Sequence, residues 1–193
     1  PGSFAYVRQQ EPAGLGHAVW CARHLVGNEP VAVILADDLI KGSSTIKEMI
    51  SNYSSGNMLA IMDVNNQDVS SYGIISPGKN LGNNMTEILG LIEKPSIDKA
   101  PSNMAVVGRY IIEPSVFKEL EKQNRGTSNE IQLTDAIANR IGKSHCYGYK
   151  FTNDRFDCGS KLGFIQANIK LSIERDDLSE KLKSWLKEEF LNG

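Results

Sequence analysis

The 193-residue sequence is poor in the features that would place it in several common classes. It has three cysteines, Cys21, Cys146 and Cys158, few and widely separated, which suggests neither a disulfide framework nor a zinc cluster and points to a reducing cytoplasm. Its three histidines, His17, His24 and His145, share no metal-ligand spacing. No Ser-His-Asp or Cys-His arrangement can be assembled, so covalent catalysis is not the first expectation. Charge of one sign is also scarce: 21 basic against 23 acidic residues give a net charge of -2. That balance supplies no general attraction to nucleic acid or to an anionic membrane, so any phosphate recognition must be local. No run approaches the roughly 18 uninterrupted apolar residues of a membrane span, and the opening does not read as a signal peptide.

What remains is the composition of an ordinary globular protein, with 40% apolar and 23% charged residues. Its length suits one domain with a sizeable core. The chain opens on Pro1, and the expectation is a piece of a longer protein, although Gly2-Ser3 equally suits a cloning scar. A strand is expected at Phe4–Arg8, followed by a helix in "GLGHAVWCARHLVG". "EPVAVILADDL" (Glu29–Leu39) reads as a central strand covered on both faces. An amphipathic helix around Ile46, Met49 and Ile50 follows, then strands at Asn57–Val64 and in "YGIIS". Ser76–Asn84 has turn composition, with "TEILGLIEKP" as the returning strand. "NMAVVGRYIIEP" reads as a strand, "CYGYKF" leads into a strand expected to end at Asp157, and Pro114 and "NEIQLTDAIANRIG" read as helical. Leu178, Leu182, Trp185, Leu186 and Phe190 form a stripe on a C-terminal helix within a helical segment placed at 163–193. The alternation predicts an α/β sheet flanked by helices.

Carboxylates at strand ends draw the most interest. Asp37 or Asp38 after "VAVIL", and Asp157 after "KFTNDRF", would lie where open α/β sheets bind ligands. If their strands are neighbours, the two could share a hard cation such as Mg²⁺. Asp38 and Asp157 equally suit helix caps. "EPAGLGHAV" is a glycine-bearing loop entering a helix, where Gly14 and Gly16 permit close approach or simply make a tight turn. Gln9 and Gln10 offer a paired donor and acceptor of the kind that reads a nucleobase, or are solvated side chains. Glu93 could accept sugar hydroxyls while Lys94 neutralises a phosphate; a surface ion pair is the alternative. Lys161, just after Asp157, carries the same two readings.

The order of these segments, "QQEPAGLGHAV", "VAVILADD", "YGII", "GLIEKP", "PSNMAVVGRYII", "NEIQLTDAI" and "FDCGSKLGFIQA", closely resembles the bacterial UTP-glucose-1-phosphate uridylyltransferases. The resemblance runs over essentially the whole chain. It departs at the family's N-terminal strand and Gly-rich triphosphate loop, which these residues do not contain. It implies a Rossmann-like nucleotidyltransferase fold, an α/β domain spanning 1–193 with a mixed, mainly parallel central sheet. It also implies Mg²⁺-assisted conversion of UTP and glucose 1-phosphate to UDP-glucose and pyrophosphate in the cytoplasm, by a homo-oligomer (dimer or tetramer). By resemblance, Asp37 and Asp157 match the metal-binding aspartates, with the strand register favouring Asp37 over Asp38. Gln9 and Gly14 match the uracil site, Gly73 and Glu93 the sugar site, Lys94 the sugar-phosphate contact, and Lys161 a lysine near the phosphates. The alternatives are a related enzyme using dTTP or another sugar phosphate, and a non-catalytic binding fragment.

Overall fold

The computed structural model of the chain describes residues 3–42 and 44–190. In chain order its regular elements are α1 (Leu15–Cys21), α2 (Arg23–Val26), β1 (Val31–Ile34), β2 (Asp38–Ile40), α3 (Thr45–Asn52), β3 (Asn57–Asp63), β4 (Gly73–Gly82) and β5 (Met85–Glu93). There follow β6 (Met104–Ile112), α4 (Ser115–Leu120), α5 (Leu133–Ala138), β7 (Cys146–Lys150), β8 (Arg155–Asp157), α6 (Lys161–Ile173) and α7 (Ser179–Phe190). They divide into two compact units, one of Pro1–Ile34 with Ser44–Thr152, the other of Leu35–Ser43 with Asn153–Gly193.

The larger unit is built on a six-stranded sheet in the order β1-β6-β3-β7-β5-β4, with β6 also touching β4. Near its centre lies the apolar strand expected at Asn57–Val64. β3 (NMLAIMD) has its first five residues buried, and pairs in parallel with β7 at Met58 and Tyr147 and antiparallel with β6. Helices cover the sheet through Val116 and Leu120 of α4 and Leu133 and Ile137 of α5, each essentially inaccessible alongside Met58, Leu59, Ile61, Ile74, Ile75 and Ile112. Each such side chain contributes roughly 1.5–3 kcal/mol on burial. The mixed sheet flanked by helices agrees with expectation.

The balance of pairings does not. Among the described strands only β3 and β7 run parallel; β1–β6, β3–β6, β4–β5, β5–β7 and β4–β6 are antiparallel. The cause is partly local. β4 continues through Ser76–Asn80, where a turn was expected, and reverses only at Gly82, Asn83 and Asn84, whose φ values of 78°, 49° and 62° are left-handed. Gly and Asn adopt that region most readily, and a tight reversal can join only antiparallel strands. Pro77 is tolerated inside β4 because the register shifts beside it.

Two other expectations fail. Residues 4–10 form no strand, and Phe4 and Tyr6 are more than nine-tenths exposed. β1 is the outermost strand of the described sheet rather than a central one, with alternating exposure that leaves Ile34 half open.

The smaller unit pairs β2 with β8 antiparallel, setting Asp38 opposite Asp157 and Ile40 opposite Arg155. Inside this ribbon the Arg155 guanidinium donates to the buried Asp38 carboxylate. α6 packs on β8 and on α7, and buries Gly163 and Ala167. Ser160 caps α6: its hydroxyl accepts from the Gly163 amide at 3.0 Å and donates to the Asp157 carbonyl at 3.0 Å.

Candidate functional site

Three groups of the expected residues come together, two in the larger unit and one in the smaller. The first is the loop from Gln9 to Gly16. Its glycine is obligatory: Gly14 has φ 103°, and a Cβ there would lie 2.8 Å from both Glu130 Cβ and the Ile131 carbonyl oxygen. That close approach allows a backbone clamp. The Ile131 amide donates to Ala13 at 2.7 Å, and the Gly16 amide donates to Ile131 at 2.8 Å. Gln9 then folds over the loop, its side-chain nitrogen 3.1 Å from the Gly14 carbonyl oxygen, to which it donates, and 3.0 Å from His17 Nδ1. The donor end of the amide is committed to the loop, leaving its carbonyl oxygen as the acceptor. Gln10 is exposed and takes no part in this arrangement.

The second group lies at the far end of the β4–β5 hairpin. Gly73, the first residue of β4, is in register with Glu93, the last of β5. A Cβ at Gly73 would stand 3.0 Å from Glu93 Oε2 and 3.0 Å from Thr134 Cγ2, so the absent side chain leaves a space bounded by those two residues. Thr134, buried near the start of α5, donates to Glu93 Oε2 at 2.8 Å. Burial raises the Glu93 carboxyl above the ordinary glutamate range; the Thr134 hydroxyl and Lys94 oppose that shift, while Asp135 and Glu130 add to it. Lys94 itself has φ 47°, an unusual backbone for a non-glycine residue that costs on the order of 1 kcal/mol. Its amide donates to the Tyr72 carbonyl at 2.9 Å, and its side chain is exposed.

The third group is in the smaller unit. Asp37 and Asp157 are both exposed, and both aim a carboxylate oxygen at the space over Gly159. A Cβ on Gly159 would lie 3.0 Å from Asp37 Oδ2 and 3.1 Å from Asp157 Oδ1. The Cys158 amide donates to the Asp37 carbonyl at 2.7 Å, which ties the two segments together, and the Gly159 amide donates to Asp157 Oδ1 at 3.0 Å within its own segment. The cap alternatives fall away. Ser160 rather than Asp157 caps α6, and Asp38 is buried against Arg155. The reason for their meeting also differs from expectation: Asp157 ends a strand of a short antiparallel ribbon, separate from β7, rather than a strand of a parallel sheet. Two converging carboxylates are the donor set a hard cation such as Mg²⁺ accepts, with water and phosphate oxygens filling its other positions. Among the described residues no group of three or more acidic, His or Cys side chains could hold a metal, so a cation here would depend on those outside ligands. Lys161 is the first residue of α6 and is exposed.

Other groups can be set aside. Burial pushes the Cys146 thiol up to about 12, with the Glu113 charge adding to the effect, so it stays neutral and is no nucleophile. Among the described residues no helix is long and apolar enough to cross a membrane. Thr134, Arg155 and Ser160 were missed as supporting residues. Thr134 sits inside "EIQLTDAI", a segment conspicuous in the sequence, but nothing local connects it to a carboxylate 41 positions away.

Comparison with known proteins shows which family the chain resembles. The UTP–glucose-1-phosphate uridylyltransferase 1 of Staphylococcus saprophyticus is 38% identical over 185 residues, covering 94% of this chain and 64% of that protein. A crystal structure of a UDP-glucose pyrophosphorylase complexed with UDP-glucose superposes with a TM-score of 0.84 at 42% identity, covering 89% of this chain and 67% of that one. A UTP-bound enzyme of the same type from Acinetobacter baumannii gives 0.83 at 36% identity, covering 95% and 65%. The chain thus spans 64% of the length of the curated relative. A model of the nucleotidyl transferase family matches residues 2–173, which takes in all three groups, and the chain belongs to that family.

Proposed function

We propose that this chain is the larger part of an enzyme that transfers the uridylyl group of UTP to glucose 1-phosphate, giving UDP-glucose and pyrophosphate. The observation that carries the reading is the convergence of Asp37 and Asp157 over Gly159, in a chain similar along nearly all its length to proteins named for that reaction. In the proposed mechanism an oxygen of the sugar phosphate attacks the α-phosphorus of UTP in line, and the bond to pyrophosphate breaks. Two anions must be brought together, so the protein's contribution is alignment and charge neutralisation. A Mg²⁺ held by Asp37 and Asp157 would supply part of the neutralisation. Lys94 neutralises the sugar phosphate, and Lys161, at the start of α6 just after Asp157 in the chain, serves the nucleotide phosphates. Glu93, beside Gly73, accepts from the sugar hydroxyls, while the Gln9 carbonyl and the backbone at Gly14 read the uracil edge. The homo-oligomer and the cytoplasmic location belong to the same proposal.

The test is pyrophosphate release from UTP and glucose 1-phosphate by the full-length protein, alongside calorimetric titration of UDP-glucose with and without Mg²⁺. Mg²⁺-dependent turnover supports the proposal. Turnover with dTTP in place of UTP at equal efficiency would move it to the thymidylyl reaction, and a folded protein inert in every combination would leave a binding role.

A further inference from the structure

The Glu93 carboxylate stands on the last residue of β5, and its Oε2 is occupied by the Thr134 hydroxyl at 2.8 Å. Thr134 comes from a distant segment and is only 6% exposed, so the contact is made inside the packed unit rather than on a solvated surface. The same threonine turns its methyl group to the space over Gly73, where a Cβ would meet it at 3.0 Å. A β-branched side chain is stiff at χ1, so hydroxyl and methyl positions are tied together. The segment that carries Thr134 is itself held on both sides. Ile131 exchanges backbone hydrogen bonds with Ala13 and Gly16 at 2.7 and 2.8 Å. The Gln132 side-chain nitrogen donates to the Thr127 carbonyl at 3.1 Å and to the Glu130 carboxylate at 3.0 Å.

We propose that Thr134 is a positioning residue for sugar recognition: it holds one carboxylate oxygen of Glu93 so that the other is presented to a hydroxyl of the hexose 1-phosphate. The inference rests on the uridylyl-transfer reading above. A hydrogen bond to a charged acceptor is stronger than one between neutral groups, and its loss frees the Glu93 rotamer. Because Thr134 touches Glu93 and not the proposed base site, its loss acts on the sugar phosphate alone.

The experiment is steady-state kinetics of the full-length protein with Thr134→Val, which keeps the shape and removes the hydroxyl, and Thr134→Ser, which keeps the hydroxyl. The Val variant is expected to raise KM for glucose 1-phosphate roughly fivefold or more while KM for UTP stays within about twofold. The Ser variant restores most of the difference. Equal increases in both KM values, a fall in kcat with KM for glucose 1-phosphate unchanged, or a Ser variant no better than Val would overturn the assignment. If circular dichroism shows the Val variant unfolded, Thr134→Ala is read against the same criteria. Absence of turnover by the unsubstituted protein removes the uridylyl reading and this inference with it; normal turnover with unaffected variants removes only the inference.

Discussion

The group around Glu93 in the larger unit and the carboxylate pair in the smaller one are built on opposite plans. Glu93 is partly buried, donated to by Thr134, and carried on a nine-residue strand of a six-stranded sheet. Asp37 and Asp157 are exposed, and the ribbon beside them has three residues per strand. The difference follows from what each would bind. A sugar hydroxyl offers one modest hydrogen bond, so its acceptor must be oriented before the ligand arrives or the ordering entropy consumes the gain. A divalent cation interacts strongly enough to order its own ligands, and exposed carboxylates avoid the desolvation cost that burial would impose. On the proposed reading, the larger unit uses its packed interior to hold a weak contact, whereas the smaller one would leave its charges solvated until a cation arrives.

The ribbon is where this comparison can be broken with the greatest effect. Besides its backbone ladder and the packing of α6 on β8, the ribbon is held by the pair formed by Arg155 and the buried Asp38. Arg155→Met leaves that carboxylate without its guanidinium, and the expected loss is about 3 kcal/mol of stability, read by urea unfolding. A loss below roughly 0.5 kcal/mol would mean that the smaller unit stands on apolar packing as the larger one does. Next in size, Asp157→Asn removes one charge of the proposed metal site with little change of shape, and turnover should drop at least roughly tenfold, equivalent to about 1.4 kcal/mol in the barrier. Wild-type turnover in that variant at saturating Mg²⁺ would separate Asp157 from the chemistry.

Legibility in the sequence divides along the same line. Asp157, Gly159 and Ser160 are neighbours in the chain, so a site near this junction could be read directly. The choice between Asp37 and Asp38 rested on resemblance, because nothing local shows that Asp37 falls in the turn before β2 and Asp38 on its first residue. Here Asp38 turns to Arg155 and Asp37 to the space over Gly159. Gly73 and Glu93 meet through a hairpin whose turn was signalled by Gly82, Asn83 and Asn84, but composition could not tell turn from strand over Ser76–Asn80. Apolar runs identified β3, β5 and β6, whereas the break between β7 and β8 was not legible. Sheet order was hidden, since β1 has a central strand's composition and an edge position. The Thr134 contact lay beyond any local pattern.

Lys94 lies between the two plans, adjacent to the oriented carboxylate yet exposed like the aspartates. Its positive φ forces the chain to turn where the sugar phosphate is proposed to sit. Lys94→Ala is expected to raise KM for glucose 1-phosphate severalfold and KM for UTP less, since an exposed charge–phosphate contact contributes on the order of 1 kcal/mol. An equal effect on both substrates would place the lysine on the nucleotide instead.

The smallest effect sharpens the comparison most, because it tests whether Glu93 is held at a cost to stability. Its carboxyl is raised above the unfolded value, chiefly by burial. The native state therefore binds more protons than the unfolded chain between the two values, and stability falls as pH rises through that window. Above the raised value the penalty is complete; below the unfolded value, about 4.3 for glutamate, it is absent. Glu93→Gln removes the charge and keeps an acceptor for Thr134. The variant should melt above wild type at pH 7, by less than Arg155→Met lowers the same quantity, and the gain should shrink towards zero as the pH approaches 4. Loss of sugar-phosphate binding in the same variant would show that the buried charge is retained for recognition. A melting difference independent of pH would place Glu93 with the exposed aspartates, and the contrast between the two regions would then lie in their scaffolds alone.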